Sequence, residues 1–122
     1  MMSQPNTGRA ETTEDLGGLL LDSLDEALAD LMGARFRQPF YHYFEKRYGI
    51  TRDIIPNRLD KFVVALAELL GVLATRTFGR AIAKRLYLKL GLEFSNHEEY
   101  TLLDYVKEAR MNLPLLTNTS RR

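Results

Sequence analysis

Half of the chain's aromatic residues, which are six phenylalanines and six tyrosines in all, fall within one stretch: Phe36, Phe40, Tyr41, Tyr43, Phe44 and Tyr48, closed by Gly49. No other window can bury as much apolar area, so this stretch is expected to organise the core. Pro39 lies inside it. Proline has no N–H to donate and clashes with the preceding turn, so a helix here must start between residues 36 and 38, with Pro39 in its first turn. Phe36, Phe40, Tyr43 and Phe44 then share one side, Arg47 snorkels outwards beside them, and Gly49 stands at the C-cap.

Hydrophobic periodicity places four more helices around that one. Residues 16 to 32 repeat leucine and alanine at helical spacing, with Asp22, Asp25, Glu26 and Asp30 around them, and Gly33 follows. Residues 50 to 56 form a connector: Thr51 can cap a short turn, Pro56 holds Ile55 out of the helical region, and the paired isoleucines plug the end of the core. The third helix covers residues 58 to 70 and the fourth 75 to 90, separated by Gly71 and stopped at Gly91. Residues 92 to 100 read as a loop with Phe94 as its anchor. Thr101-Leu-Leu-Asp104 has the form of a capping box and opens a fifth helix to about residue 111, beyond which Pro114 bars extension. Strand signals are absent: no stretch alternates apolar and polar residues between turn pairs. The expected fold is all-α, a compact single-domain bundle of four or five helices over residues 16–112, with a disordered tail at 1–15 and a flexible one at 113–122.

Length and composition fit one domain. The chain has 122 residues, is 45% hydrophobic and carries a net charge of +1, so bulk charge selects no partner. The chain contains no cysteine. That rules out disulfides, thiolate nucleophiles and zinc–thiolate sites, and suits a reducing compartment, so a cytoplasmic setting is expected. The amino terminus has no apolar core of a secretory signal, and no run approaches the roughly twenty apolar residues that span a bilayer.

Charge is segregated along the chain. Residues 11 to 30 hold seven acids and no base. Residues 70 to 92 hold five bases, Arg76, Arg80, Lys84, Arg85 and Lys89, and no acid. Residues 93 to 108 hold five acids and one base, Lys107. An intramolecular reading lets the acidic segments face the basic helix across the bundle surface, in pairs worth roughly 0–1 kcal/mol each. The alternative makes the basic helix a nucleic-acid contact. Arg76, Arg80 and Lys84 share one flank and Arg85 and Lys89 another, so the row is split. Its exposed positions offer phosphate contacts and no Asn or Gln to read adenine.

Reactive chemistry finds little footing. His42 and His97 are not spaced as metal ligands, the serines lack a nucleophile-elbow context, no glycine-rich loop cradles phosphate, and carboxylates such as Glu98 and Glu99 are neighbours that point apart. Neither a metal nor a cofactor is expected, and no catalytic residue is assigned. Tyr41, Tyr43, Tyr48, Tyr87, Tyr100 and Tyr105 suggest a small-molecule sensor if they line one pocket. The preferred reading places them at the core boundary with hydroxyls in water.

The order of motifs is familiar. Phe44-Glu-Lys-Arg-Tyr-Gly-Ile50, Asp53-Ile-Ile-Pro56, Lys61-Phe62 with Ala65-Leu66, Leu86-Tyr-Leu-Lys-Leu-Gly-Leu92, and Tyr100-Thr101 with Asp104-Tyr-Val106 together resemble a small archaeal domain family. Its members occur alone or as output domains of signal-transduction regulators. The likeness covers residues 19 to 110 and implies an all-α fold and a regulatory setting, with no catalytic residues to carry over. This chain departs from the pattern at Pro39 and across residues 71 to 79.

These readings converge on a non-enzymatic regulatory or protein-interaction module that associates with itself, linked to signal transduction or transcription. More apolar helix face is present than a small bundle easily hides. The expected interface lies on the third and fourth helices: Leu59, Phe62, Val63, Leu66, Phe78, Ile82 and Leu86.

Overall fold

Leucine and phenylalanine periodicity carries through into an all-helical architecture. The structure, a computed structural model, describes the backbone of residues 12–121 and the side chains of residues 16–113. Among these are helices α1 (Thr12–Met32), α2 (Arg37–Tyr48), α3 (Leu59–Leu70), α4 (Val72–Leu90) and α5 (Leu102–Arg121), with short 3-10 turns at Ala34–Phe36 and Arg52–Asn57 and no strand. The reading of residues 1–11 as a disordered tail lies outside the described residues.

Helix α4 is the centre of the packing and meets α1, α3 and α5. Its buried arc is Thr75, Phe78, Gly79, Ile82, Ala83, Leu86 and Tyr87. Gly79 makes the approach of α5 possible: a Cβ there would stand 3.2 Å from the Leu102 nitrogen and 3.3 Å from its Cβ. The start of α5 is held by the expected box, in which the Thr101 N–H donates to the Asp104 carboxylate at 2.9 Å and the Asp104 N–H reaches the Thr101 hydroxyl at 3.4 Å.

Boundaries differ from the sequence reading in four places. The turn Arg52–Asn57 runs through Ile55 and Pro56, where the reading held Ile55 out of the helical region. Helix α1 begins at Thr12, within the expected tail. Helix α4 begins at Val72 and not at Thr75. Gly71 takes φ 92° and ψ 163°, a conformation open essentially to glycine alone, and so turns the chain from one helix into the next in a single residue. Helix α5 does not stop before Pro114. The missing proline N–H removes one rung, and the backbone stays helical to Arg121.

The expected interface is corrected most clearly. Leu59, Phe62, Leu66, Phe78, Ile82 and Leu86 are all at most 4% exposed, and Val63 is half-buried against them. Their stripes are covered by the chain's own helices and fill its core. The aromatic stretch behaves differently from its reading too. Phe40 and Phe44 are buried and join Phe62 and Phe78, with Phe40–Phe44 centroids 4.7 Å apart and Phe44–Phe62 5.3 Å apart. Phe36 and Tyr43, assigned to the same face, remain 55% and 41% exposed.

A polar tie fastens this side of the bundle. Asp25 of α1 accepts a hydrogen bond from the Tyr41 hydroxyl at 2.6 Å and another from Arg52 at 2.6 Å, and the Arg52 guanidinium lies 5.7 Å from the Tyr41 ring centroid. Burial on its own would raise the Asp25 carboxyl. The bonds from Arg52 and Tyr41, with the Arg52 and Arg37 charges, outweigh it and hold the carboxyl below its ordinary value. Tyr41 is pushed up, first by burial and then by Asp25.

Candidate functional site

The five bases of α4 divide into a satisfied flank and an unsatisfied one. Arg85 pairs with Asp30 of α1 and stands 3.9 Å from Glu26; Lys89 meets both Glu26 oxygens at 2.9 Å. Glu26 and Asp30 are one helical turn apart, as are Arg85 and Lys89, so two antagonistic pairs mesh along adjacent helices. The acidic α1 therefore faces the basic α4, as the intramolecular reading expects. On the other flank Arg76, Arg80 and Lys84 make no ion pair with a described residue, and the Arg76 Nε is buried without an acceptor. The acids of residues 93 to 108 form no ion pair with them. Of the five residues assigned to nucleic acid, only these three present an unneutralised row.

A second feature was missed by periodicity. Leu31, Met32, Phe36, Pro39, Tyr43 and Leu69 surround one end of the bundle, where two grooves of about 390 and 270 Å³ share Met32 as a common wall. The end is open for a local reason. Helix α1 stops at Met32, and the turn Ala34–Phe36 that follows buries none of its residues, so Phe36 is carried outwards. Leu31 is 54% exposed and Leu69 39%. Leu31, Phe36, Tyr43 and Leu69 all fall in stripes that periodicity reads as core, because spacing alone does not tell the covered part of a stripe from the part its neighbours leave open.

The six tyrosines do not converge on a pocket. Tyr41 is bound to Asp25 and Tyr48 to Glu68 at 3.1 Å, on the α2 side. Tyr87 and Tyr105 are 1% exposed, against the expectation of a wetted boundary. The Tyr87 hydroxyl donates to the Tyr105 carbonyl at 2.7 Å. The Tyr105 hydroxyl accepts from the His97 N–H at 2.9 Å and donates to the His97 carbonyl at 3.1 Å. These hydroxyls are consumed by backbone. Burial, then the Glu108 charge, pushes the Tyr87 phenol up. His97 stacks on Tyr100, centroids 4.2 Å apart, and His42 is exposed. Among the described residues no cluster of three acids or histidines is placed to hold a metal ion. Nor is any described helix long and apolar enough to cross a membrane.

Compared with protein families, with curated proteins and with solved structures, the chain matches none.

Proposed function

We propose that this protein is a non-enzymatic interaction module that associates with itself through the apolar end bounded by Leu31, Met32, Phe36, Pro39, Tyr43 and Leu69. The observation that carries the reading is that end. Leu31, Phe36, Tyr43 and Leu69 remain 54%, 55%, 41% and 39% exposed around it, and large apolar side chains gathered at one place on a surface mark a contact site. A two-fold arrangement would seat the Phe36 of each copy in the groove of the other, which closes the assembly at a dimer. A regulatory role in signal transduction or transcription rests on the motif order alone.

Size-exclusion chromatography with light scattering tests the association. A dimer is expected at high micromolar concentration, and Phe36→Ser combined with Leu31→Ser should return a folded monomer. A wild-type protein that stays monomeric at that concentration removes the reading.

A further inference from the structure

We infer that the outer face of α4 docks an acidic amphipathic helix of a second protein. This surface abuts the apolar end at Thr77, which also lines the groove beside Leu31 and Met32, and the inference does not depend on self-association. Leu73, Thr77, Arg80, Lys84 and Leu88 follow one another at spacings of four, three, four and four residues and form one stripe along α4. Arg76 borders it. Leu73 and Leu88 are 77% and 81% exposed, the two most exposed large apolar side chains among the described residues. They stand about 22 Å apart along the helix, with the three unpaired cations between them.

The molecule contains the template for what would cover such a stripe. On the opposite flank of the same helix, Arg85 and Lys89 are met by Glu26 and Asp30, and beside those acids Leu24, Ala27 and Leu28 of α1 are buried in the core. An acidic amphipathic helix is therefore what α4 already binds, with acids one turn apart opposite bases one turn apart. Arg76, Arg80 and Lys84 repeat that spacing, about 6 Å per step, with no acid of a described residue paired to them. A second copy presenting its own α4 is the wrong occupant, because either direction of packing sets this row against its like. A nucleic-acid backbone would satisfy the cations and leave the two leucines in water. Both are used by a helix with glutamates at four-residue intervals beside an apolar stripe, laid against α4 as in other helix-on-helix recognition.

The test is fluorescence anisotropy of the full chain with a labelled synthetic helix of about twenty residues, leucines on one stripe and glutamates at every fourth position beside it. The control is the same peptide with lysine in place of glutamate. The acidic helix should bind and weaken as salt rises, and the lysine helix should not bind. Arg80→Glu with Lys84→Glu should lower affinity about ten-fold or more, and Leu73→Ser with Leu88→Ser by a comparable factor. Leu73, Lys84 and Leu88 are exposed and Arg80 is half-buried, and a helical circular dichroism spectrum will show that each double variant folds. Failure of the acidic helix to bind overturns the inference. So does binding that is indifferent to the leucine pair, or a DNA duplex that binds more tightly than the peptide, since either would make the row a site for any polyanion. Light scattering on the same variants keeps this outcome separate from self-association, which they should leave intact.

Discussion

Two aromatic clusters flank α4, and they are built on opposite principles. Phe40, Phe44, Phe62 and Phe78 carry no polar atom beyond the backbone and join α2, α3 and α4 by packing alone. Phe94 stacks on Tyr105 with centroids 5.1 Å apart and meets Tyr87 edge-on at 5.4 Å, and Tyr100 meets Tyr105 at 4.9 Å. There, the hydroxyls of Tyr87 and Tyr105 are bonded to main chain. The first cluster holds helices together; the second holds an irregular segment against helices. A loop cannot bury a repeating apolar face, so its backbone groups must find side-chain partners, and tyrosine supplies area and a hydroxyl at once.

The contrast can be broken from either side. Phe62→Ala should have the largest effect, about 3–5 kcal/mol of global stability, because the cavity opens where three helices meet. Urea unfolding followed by circular dichroism measures it; a loss near zero would mean the phenylalanines are not the bundle's centre. Tyr105→Phe keeps the ring and removes only the hydroxyl, leaving the His97 N–H without its acceptor while the His97 carbonyl keeps the Tyr100 N–H at 3.1 Å, at about 1–3 kcal/mol. Its signature is local: amide exchange of residues 92 to 100 should accelerate while α3 amides keep their protection. Equal acceleration in both regions would erase the distinction. The smallest effect belongs to acid. The carboxyl of Asp25 sits lower in the folded chain than its ordinary 3.8. Its contribution is complete above that value and is lost as pH falls through the folded value. Acidification should therefore loosen the α1–α2 side before the tyrosine side, and Asp25→Asn should abolish that difference in a pH series of exchange rates.

How far the sequence reaches follows the same division. Helices α3 and α4 were legible because Leu59, Phe62 and Leu66, and Phe78, Ile82 and Leu86, repeat at helical period, and the Thr101–Asp104 box was legible because a cap is local. What covers an apolar stripe is not local. A stripe met by a neighbouring helix and one met by a partner look alike in one dimension, which is why core residues were assigned to an interface. The split of the α4 cations was visible in their spacing, but which flank α1 would neutralise depended on how α1 docks. Burial of Tyr87 and Tyr105 was hidden because it requires acceptors that exist only once residues 92 to 100 have folded back.

Gly71 has a reach beyond its own turn. It is the sole residue between α3, whose Leu69 borders the apolar end, and α4, which carries the cation row. The angle between those helices, and so the bearing of one surface on the other, is set at a single pair of backbone torsions. Substituting that glycine would re-aim two contact surfaces while altering the chemistry of neither, much as moving a hinge pin changes where a door meets its frame.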